Sequence, residues 1–329
     1  MGSIKVGISI GDYNGIGVEV IIKALMDKRI LSSITPIIYG STKVLSFHKK
    51  ALNLNDFNTF KINSGEEAKA NKINLVSCWD EETKIDIGES TAEAGKYAYL
   101  SLKTATEDLA KNTIDVIVTA PINKENIQSE DFNFPGHTEY FTNMSNEPDS
   151  LMLMVSDRLK VGVVSGHESL AQAVKSITQE RILSKLRILN QTLIRDFQIR
   201  KPKIALLGLN PHAGEKGVLG TEEIDIINPT INVANEEGIT AFGSYPSDGF
   251  FGSENIKNFD AILAMYHDQG LTPFKALSFG QGVNYTAGLP VIRTSPDHGT
   301  GYDLAGKNKA NESSFRNAIY LAKEIHKNR

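Results

Sequence analysis

The chain has 329 residues, 40% hydrophobic and 22% charged. That is roughly two to three times the usual domain and too apolar for disorder, so two domains are expected. With 35 Lys and Arg against 39 Asp and Glu, the net charge of −4 leaves no basic excess for a nucleic-acid backbone or a membrane surface, and a small-molecule partner is favoured. The single cysteine, Cys78, excludes an internal disulfide and a cysteine-built zinc site, as suits a cytoplasmic protein. No window approaches the ~18 apolar residues of a spanning helix. The Met1-Gly2-Ser3 start has Val6 where a myristoylation pattern wants Ser or Thr.

Short β-branched runs alternate with stretches of helical periodicity, the pattern of an α/β fold with parallel strands covered by helices on both faces. A first strand over 6–10 leads into Gly11-Asp-Tyr-Asn-Gly-Ile-Gly17 and a helix over 17–26. The turn sits where phosphate-cradling loops sit, yet its spacing is neither GxGxxG nor GxxxxGK[ST]. A strand over 34–39 follows, then a polar Asn- and Lys-rich excursion over 49–74 read as surface without chemistry. A helix over 92–111 and a strand over 116–119 come next, then Pro135-Gly-His-Thr-Glu139. That turn presents His137 and Thr138 together, suited to an anionic oxygen, although an ordinary helix start capped by Thr138 fits equally well.

Strands over 159–164, 204–209 and 261–265 are each followed within two or three residues by a histidine: His167, His212 and His267. The carboxyl ends of such strands are where α/β sheets bind ligands, so three imidazoles there can converge on one metal ion. Asp268 beside His267 is placed to fix an imidazole tautomer. Helices are expected over 169–197 and 223–237, whereas 271–311 reads as a long Gly-, Thr- and Pro-rich loop, a length that is usually functional. Within it Lys275, Asn284 and Arg293 recur nine residues apart, three donors able to clamp phosphate or carboxylate. His48 and His326 lie in Lys-rich helical stretches and are read as surface residues. No GxSxG elbow is present and Cys78 has no evident histidine partner, so nucleophilic acyl transfer has no support.

Gly208-Leu-Asn-Pro-His-Ala-Gly-Glu215, Met265-Tyr-His-Asp-Gln-Gly-Leu271, Pro135-Gly-His-Thr-Glu139, Gly288-Leu-Pro-Val-Ile-Arg-Thr-Ser295 and Asp297-His-Gly-Thr300 occur in order. Together they closely resemble the 4-hydroxythreonine-4-phosphate dehydrogenase family of pyridoxal phosphate biosynthesis. The resemblance implies two α/β/α domains with a cleft between them, like isocitrate and isopropylmalate dehydrogenases, split at about 1–125 plus 285–329 and 126–284. It implies a homodimer with active sites shared between subunits, and a divalent metal, zinc or else Mg, Co or Mn, on His167, His212 and His267, with ligands from both subunits. Substrate contacts carry over to His137, Thr138, Lys275, Asn284 and Arg293, and the catalytic set to Asp248, Asp268 and Lys275. NAD or NADP is implied, its adenosine half against a loop containing His298, Gly299, Thr300 and Gly301.

This chain departs from the family pattern at Tyr13-Asn14, where Pro-Ala is usual, and at Glu168-Ser169-Leu170, where Leu-Pro-Leu is commoner. The implied reaction is metal-assisted hydride transfer from 4-phosphooxy-L-threonine followed by decarboxylation. A relative acting on threonate or erythronate 4-phosphate would keep the same donors, and a three-histidine zinc hydrolase is the reading of a different class.

Overall fold

The computed structural model describes residues 3–329; the Met1-Gly2 start, with the myristoylation reading, lies outside the described residues. In chain order the strands are β1 (Ile4–Ser9), β2 (Ile34–Gly40), β3 (Phe60–Ile62), β4 (Asn74–Ser77), β5 (Val116–Thr119), β6 (Leu151–Val155), β7 (Lys160–Ser165), β8 (Ile204–Leu207), β9 (Ala241–Tyr245), β10 (Ala261–Tyr266), β11 (Val283–Ala287) and β12 (Arg293–Pro296). The α/β class read from the sequence is the class observed. The chain divides into two compact units, one running to Tyr140 and resuming over Val291–Lys327, the other Phe141–Pro290 with Asn328–Arg329. The sequence-based return at 285 falls inside β11, which stays with the second unit because it pairs antiparallel with β6, Asn284 opposite Met154.

In the first unit the strand order is β3-β4-β2-β1-β5-β12, every pairing parallel. All seven residues of β2 and all four of β5 are buried, which is why these runs read as unbroken apolar stretches. From β1 the chain moves first to β2 on one side and later to β5 on the other, so the order reverses between β1 and β5. The carboxyl ends flanking such a reversal leave a crevice suited to ligands. The excursion over 49–74 is part of this sheet: it supplies edge strand β3 and the start of β4.

In the second unit the order is β11-β6-β7-β10-β8-β9, with β6 antiparallel to both neighbours and the remaining pairs parallel. The turn between β6 and β7 is tight because the Ser156 hydroxyl accepts from Leu159 N at 3.1 Å. One face of β7, β8 and β10 packs Val161, Val163, Ala205, Leu207, Ile262 and Ala264 against Phe250 and Phe274. The helix expected over 169–197 is two, Leu170–Ser176 and Gln179–Arg195, because Ile177 is extended and Thr178 caps the second by accepting from Arg181 N. The supposed loop over 271–311 contains the rest of helix His267–Ser278, with Pro273 inside it, and both β11 and β12. Among the described residues no helix is long and apolar enough to cross a membrane.

His48 is a correction. It is 2% exposed, facing inward with Val44 and Leu45 from helix Thr42–Ala51, and its Nε2 lies 2.8 Å from the Tyr13 carbonyl. Burial pushes its pKa down to about 4, against a weaker upward pull from that carbonyl. The unfolded chain therefore takes up a proton at about pH 6.5 that the folded chain refuses until about 4, and stability should fall across that window by up to ~3 kcal/mol. Urea unfolding at pH 7 and 4.5 checks this: His48→Gln should lose less on acidification than the parent, and equal losses would remove His48 as the cause.

Candidate active site

In the second unit β7 and β10 run parallel with Ser165 opposite Tyr266, so their carboxyl ends lie side by side. His167 follows the first by two residues and His267 the second directly, opening helix His267–Ser278. Their ring centroids are 6.4 Å apart. His267 Nδ1 donates to Asp268 Oδ1 at 2.6 Å, since a carboxylate can only accept, and this leaves Nε2 with a free lone pair for a ligand. Both rings line a hollow of about 320 Å³ with Ser165, Glu168, Tyr266 and Asp268.

His212 is placed elsewhere. Strand β8 stops at Leu207, so this histidine lies five residues beyond its strand rather than two or three. The loop turns through a left-handed run, with φ of 52° at His212, 50° at Ala213, 79° at Gly214, 41° at Glu215 and 55° at Lys216. Non-glycine residues pay about 1–2 kcal/mol each for that conformation, so the surroundings must hold it. Glu223 anchors the start of this loop: its carboxylate, 2% exposed as a residue, accepts from Leu209 N at 2.7 Å, Asn210 N at 2.8 Å and Asn210 Nδ2 at 3.0 Å. Gln269 ties the strand ends together, accepting from Met265 N at 2.7 Å and donating to the Gly208 carbonyl at 2.6 Å. His212 itself lines a separate hollow of about 520 Å³ with Glu215, Glu223, Asn228 and Ser244. Among the described residues no three His, Cys, Asp or Glu side chains are gathered closely enough to hold a metal ion. His167 and His267 fit a divalent cation as a pair, by their adjacent strand ends and the fixed His267 tautomer. Sequence reasoning missed Glu223 and Gln269, although Gln269 stands inside the motif that carries His267.

Lys275 lies on the same helix seven residues beyond Asp268, a spacing that puts both on one exposed face. Asn284 projects from β11 with its buried Oδ1 lacking a hydrogen-bond partner in the protein, an acceptor suited to a ligand donor. Asp248 sits exposed in the first turn of helix Ser247–Phe251 and lines neither hollow described above.

The first unit holds the remaining candidates. Arg293 opens β12 in register with Ile117 of β5 and is 2% exposed. Its Nε and Nη2 donate to the Thr119 hydroxyl at 3.1 and 2.7 Å. Burial pushes its pKa down to about 9, and the charge of Glu139 opposes this only in part. His137, with Thr138 at the start of helix His137–Met144, has its pKa held well below the ordinary imidazole value by burial first and then by the charges of Arg293 and Lys124. Its Nε2 is buried without a hydrogen-bond partner in the protein. A neutral imidazole and a buried guanidinium thus lie close enough to act on each other electrostatically, with Lys124 and Glu139 also in range, and both are donors suited to a phosphate or carboxylate. Lys124 belongs to this group and carried no sequence signal.

The glycine loop after β1 gains its meaning from a second loop. Ile16 N donates to the Thr300 carbonyl at 2.8 Å, and a Cβ on Gly15 would lie 2.5 Å from that oxygen, so only glycine permits the approach. Tyr302 donates to the fully buried Asp12 at 2.7 Å, and Asn126 does so at 2.8 Å. His298 Nδ1 lies 3.0 Å from the Gly299 carbonyl, and its buried Nε2 has no hydrogen-bond partner in the protein. The stretch from His298 through Gly299 and Thr300 to Gly301 is therefore a shaped loop with an open polar atom, built against the strand-order reversal.

The family of pyridoxal phosphate biosynthetic protein PdxA matches residues 32–322. The chain belongs to the PdxA family. A 4-hydroxythreonine-4-phosphate dehydrogenase of Bacteroides thetaiotaomicron is 50% identical over 99% of this chain and 90% of its own. A putative D-threonate 4-phosphate dehydrogenase of Oceanobacillus iheyensis is 38% identical over 97% of this chain and 97% of its own. Among solved structures, a 4-hydroxythreonine-4-phosphate dehydrogenase of Klebsiella pneumoniae aligns with a TM-score of 0.82 at 34% identity, covering 98% of each chain. The resemblance read from the motifs is borne out, and the named PdxA relatives are dehydrogenases.

Proposed function

We propose that this PdxA-family chain oxidises the C3 hydroxyl of 4-phosphooxy-L-threonine with NAD or NADP, giving 2-amino-3-oxo-4-phosphooxybutanoate, which loses CO₂ to yield 3-amino-2-oxopropyl phosphate. The hydride passes to the nicotinamide and the hydroxyl proton to a base or solvent. The observation that carries the reading is the full-length relationship to the Bacteroides dehydrogenase, with half of all positions identical. His167 and His267 would hold a divalent metal, joined by His212 from the second subunit of a homodimer. When bound, that metal supplies Lewis-acid activation of the substrate hydroxyl and of the carbonyl that replaces it.

The chain's own residues do the rest. Buried Arg293, neutral His137 and Thr138 are the proposed binders of an anionic group of the substrate, and Lys275 and Asn284 are further proposed substrate contacts, a cation and an acceptor. Asp268 fixes the His267 ring, and Asp248 remains the proposed proton acceptor. The His298–Gly301 loop is the proposed seat of the adenosine half. The site is proposed to work in the cytoplasm.

The Oceanobacillus relative favours a second substrate, D-threonate 4-phosphate, which has a hydroxyl where the first has an amino group. Comparing kcat/KM on the two substrates decides between them. We expect at least a tenfold preference, about 1.4 kcal/mol, for 4-phosphooxy-L-threonine; the reverse preference would assign the second reading.

A further inference from the structure

We infer that Glu168 is a positioning residue that latches the loop carrying His167, an inference that rests on the proposed metal-binding role of that histidine. Its carboxylate reaches three elements around the loop. Oε2 accepts from the hydroxyl of Ser165, at the end of β7, at 2.6 Å, and from the hydroxyl of Ser176, at the end of helix Leu170–Ser176, at 2.8 Å. Arg181, on the following helix, donates from Nη1 to Oε1 at 3.0 Å and to Oε2 at 3.1 Å. The side chain thereby closes both ends of the segment 165–176 onto one point, directly beside His167.

Burial raises the energy of this charge, and the donors from Ser165, Ser176 and Arg181 more than offset that, keeping its pKa below the ordinary range. The carboxylate is partly exposed, at 28%, as is Arg181 at 30%. An isolated surface pair of that kind contributes little, but a four-contact arrangement closing a loop acts on the loop's conformation. Ser169, next to Glu168, has a φ of −63°. Proline restricts a backbone covalently. A proline at 169 would therefore fit the backbone and restrain it without the carboxylate, whereas in this chain the restraint comes from hydrogen bonds to Glu168, and the Ser169 hydroxyl caps the next helix by accepting from Gln172 N at 3.3 Å.

The test uses the full-length protein and four variants, Glu168→Ala, Arg181→Met, His167→Ala and the double change Glu168→Leu with Ser169→Pro. Zinc affinity is measured by chelator competition, and amide exchange over residues 166–170 is measured on metal-free protein. Glu168→Ala should weaken zinc binding by about tenfold or more, as loss of partners supporting a ligand commonly does. It should speed exchange in that segment while leaving β7 protected. Arg181→Met should move both readouts the same way by less, and the double variant should return both toward the parent. If His167→Ala binds zinc as tightly as the parent, the metal reading fails, and exchange alone then decides whether the latch exists. Unchanged exchange in folded Glu168→Ala, or unchanged zinc affinity where His167→Ala loses it, overturns the positioning role. Should Glu168→Ala not fold, Arg181→Met against the double variant gives the same decision.

Discussion

Arg293→Met should cut kcat/KM about a thousandfold while leaving the protein at least as stable as the parent. Burial lowers the guanidinium pKa from 12.5 to about 9, which corresponds to roughly 5 kcal/mol of destabilisation of the charged form at about 1.4 kcal/mol per unit. The free enzyme thus carries a cation at a cost, and a bound phosphate or carboxylate offsets it. Truncating such a buried charge partner typically costs 2–5 kcal/mol of binding, so kcat/KM on 4-phosphooxy-L-threonine should fall by about a thousandfold. Arg293→Lys should recover only part of this, because an ammonium cannot reproduce the two-pronged donor geometry. The sign with pH also follows. A base whose folded pKa is lowered gains folded-state stability as pH rises from its folded value toward its unfolded one, while losing the charge that captures the substrate. In the parent, kcat/KM should therefore decline above about pH 9, with kcat less affected because a bound anion restores the higher pKa. A melting temperature that drops sharply in Arg293→Met, or a profile flat to pH 10.5, would make Arg293 a structural residue instead.

Ala at His167, His212 or His267 should each remove tightly bound metal and turnover together. The structure sharpens this expectation, because His167 and His267 share one hollow while His212 lines another. If His212 completes the site of a second subunit, mixing His167→Ala with His212→Ala chains builds one intact site in every mixed dimer. Half of randomly reassorted dimers are mixed, each with one working site of two, so about a quarter of parental activity should return. No recovery in verified mixed dimers would place the three ligands in one chain or disprove the set. Full metal occupancy in all three variants would remove the site altogether.

How much of this was legible depends on how each residue meets its surroundings. Strands β5 and β10 are buried on both faces, so their sequences are nearly continuous apolar runs that composition alone reveals. Strands β11 and β12 bury Thr286, Arg293 and Thr294, and polar residues buried by pairing look like loop residues in one dimension. His48 was misread because Lys49 and Lys50 follow it, although Val44, Leu45 and His48 at helical spacing mark a buried stripe. The ends of β7 and β10 bring His167 and His267 side by side, whereas β8 ends early and a left-handed loop carries His212 to a separate hollow. Glu168, Glu223 and Gln269 were invisible for a different reason. Their roles consist of hydrogen bonds to backbone and side-chain groups up to 61 residues away, which no local pattern records.

The most direct test is nicotinamide reduction with 4-phosphooxy-L-threonine, followed by absorbance, on enzyme as purified, on enzyme stripped with chelator, and on stripped enzyme resupplied with zinc, magnesium, cobalt or manganese. The account predicts reduction of NAD or NADP with release of one CO₂ per hydride, loss of turnover on stripping, and recovery with at least one of the four metals. Substrate consumption without nicotinamide reduction, or reduction unaffected by complete removal of metal, would contradict it.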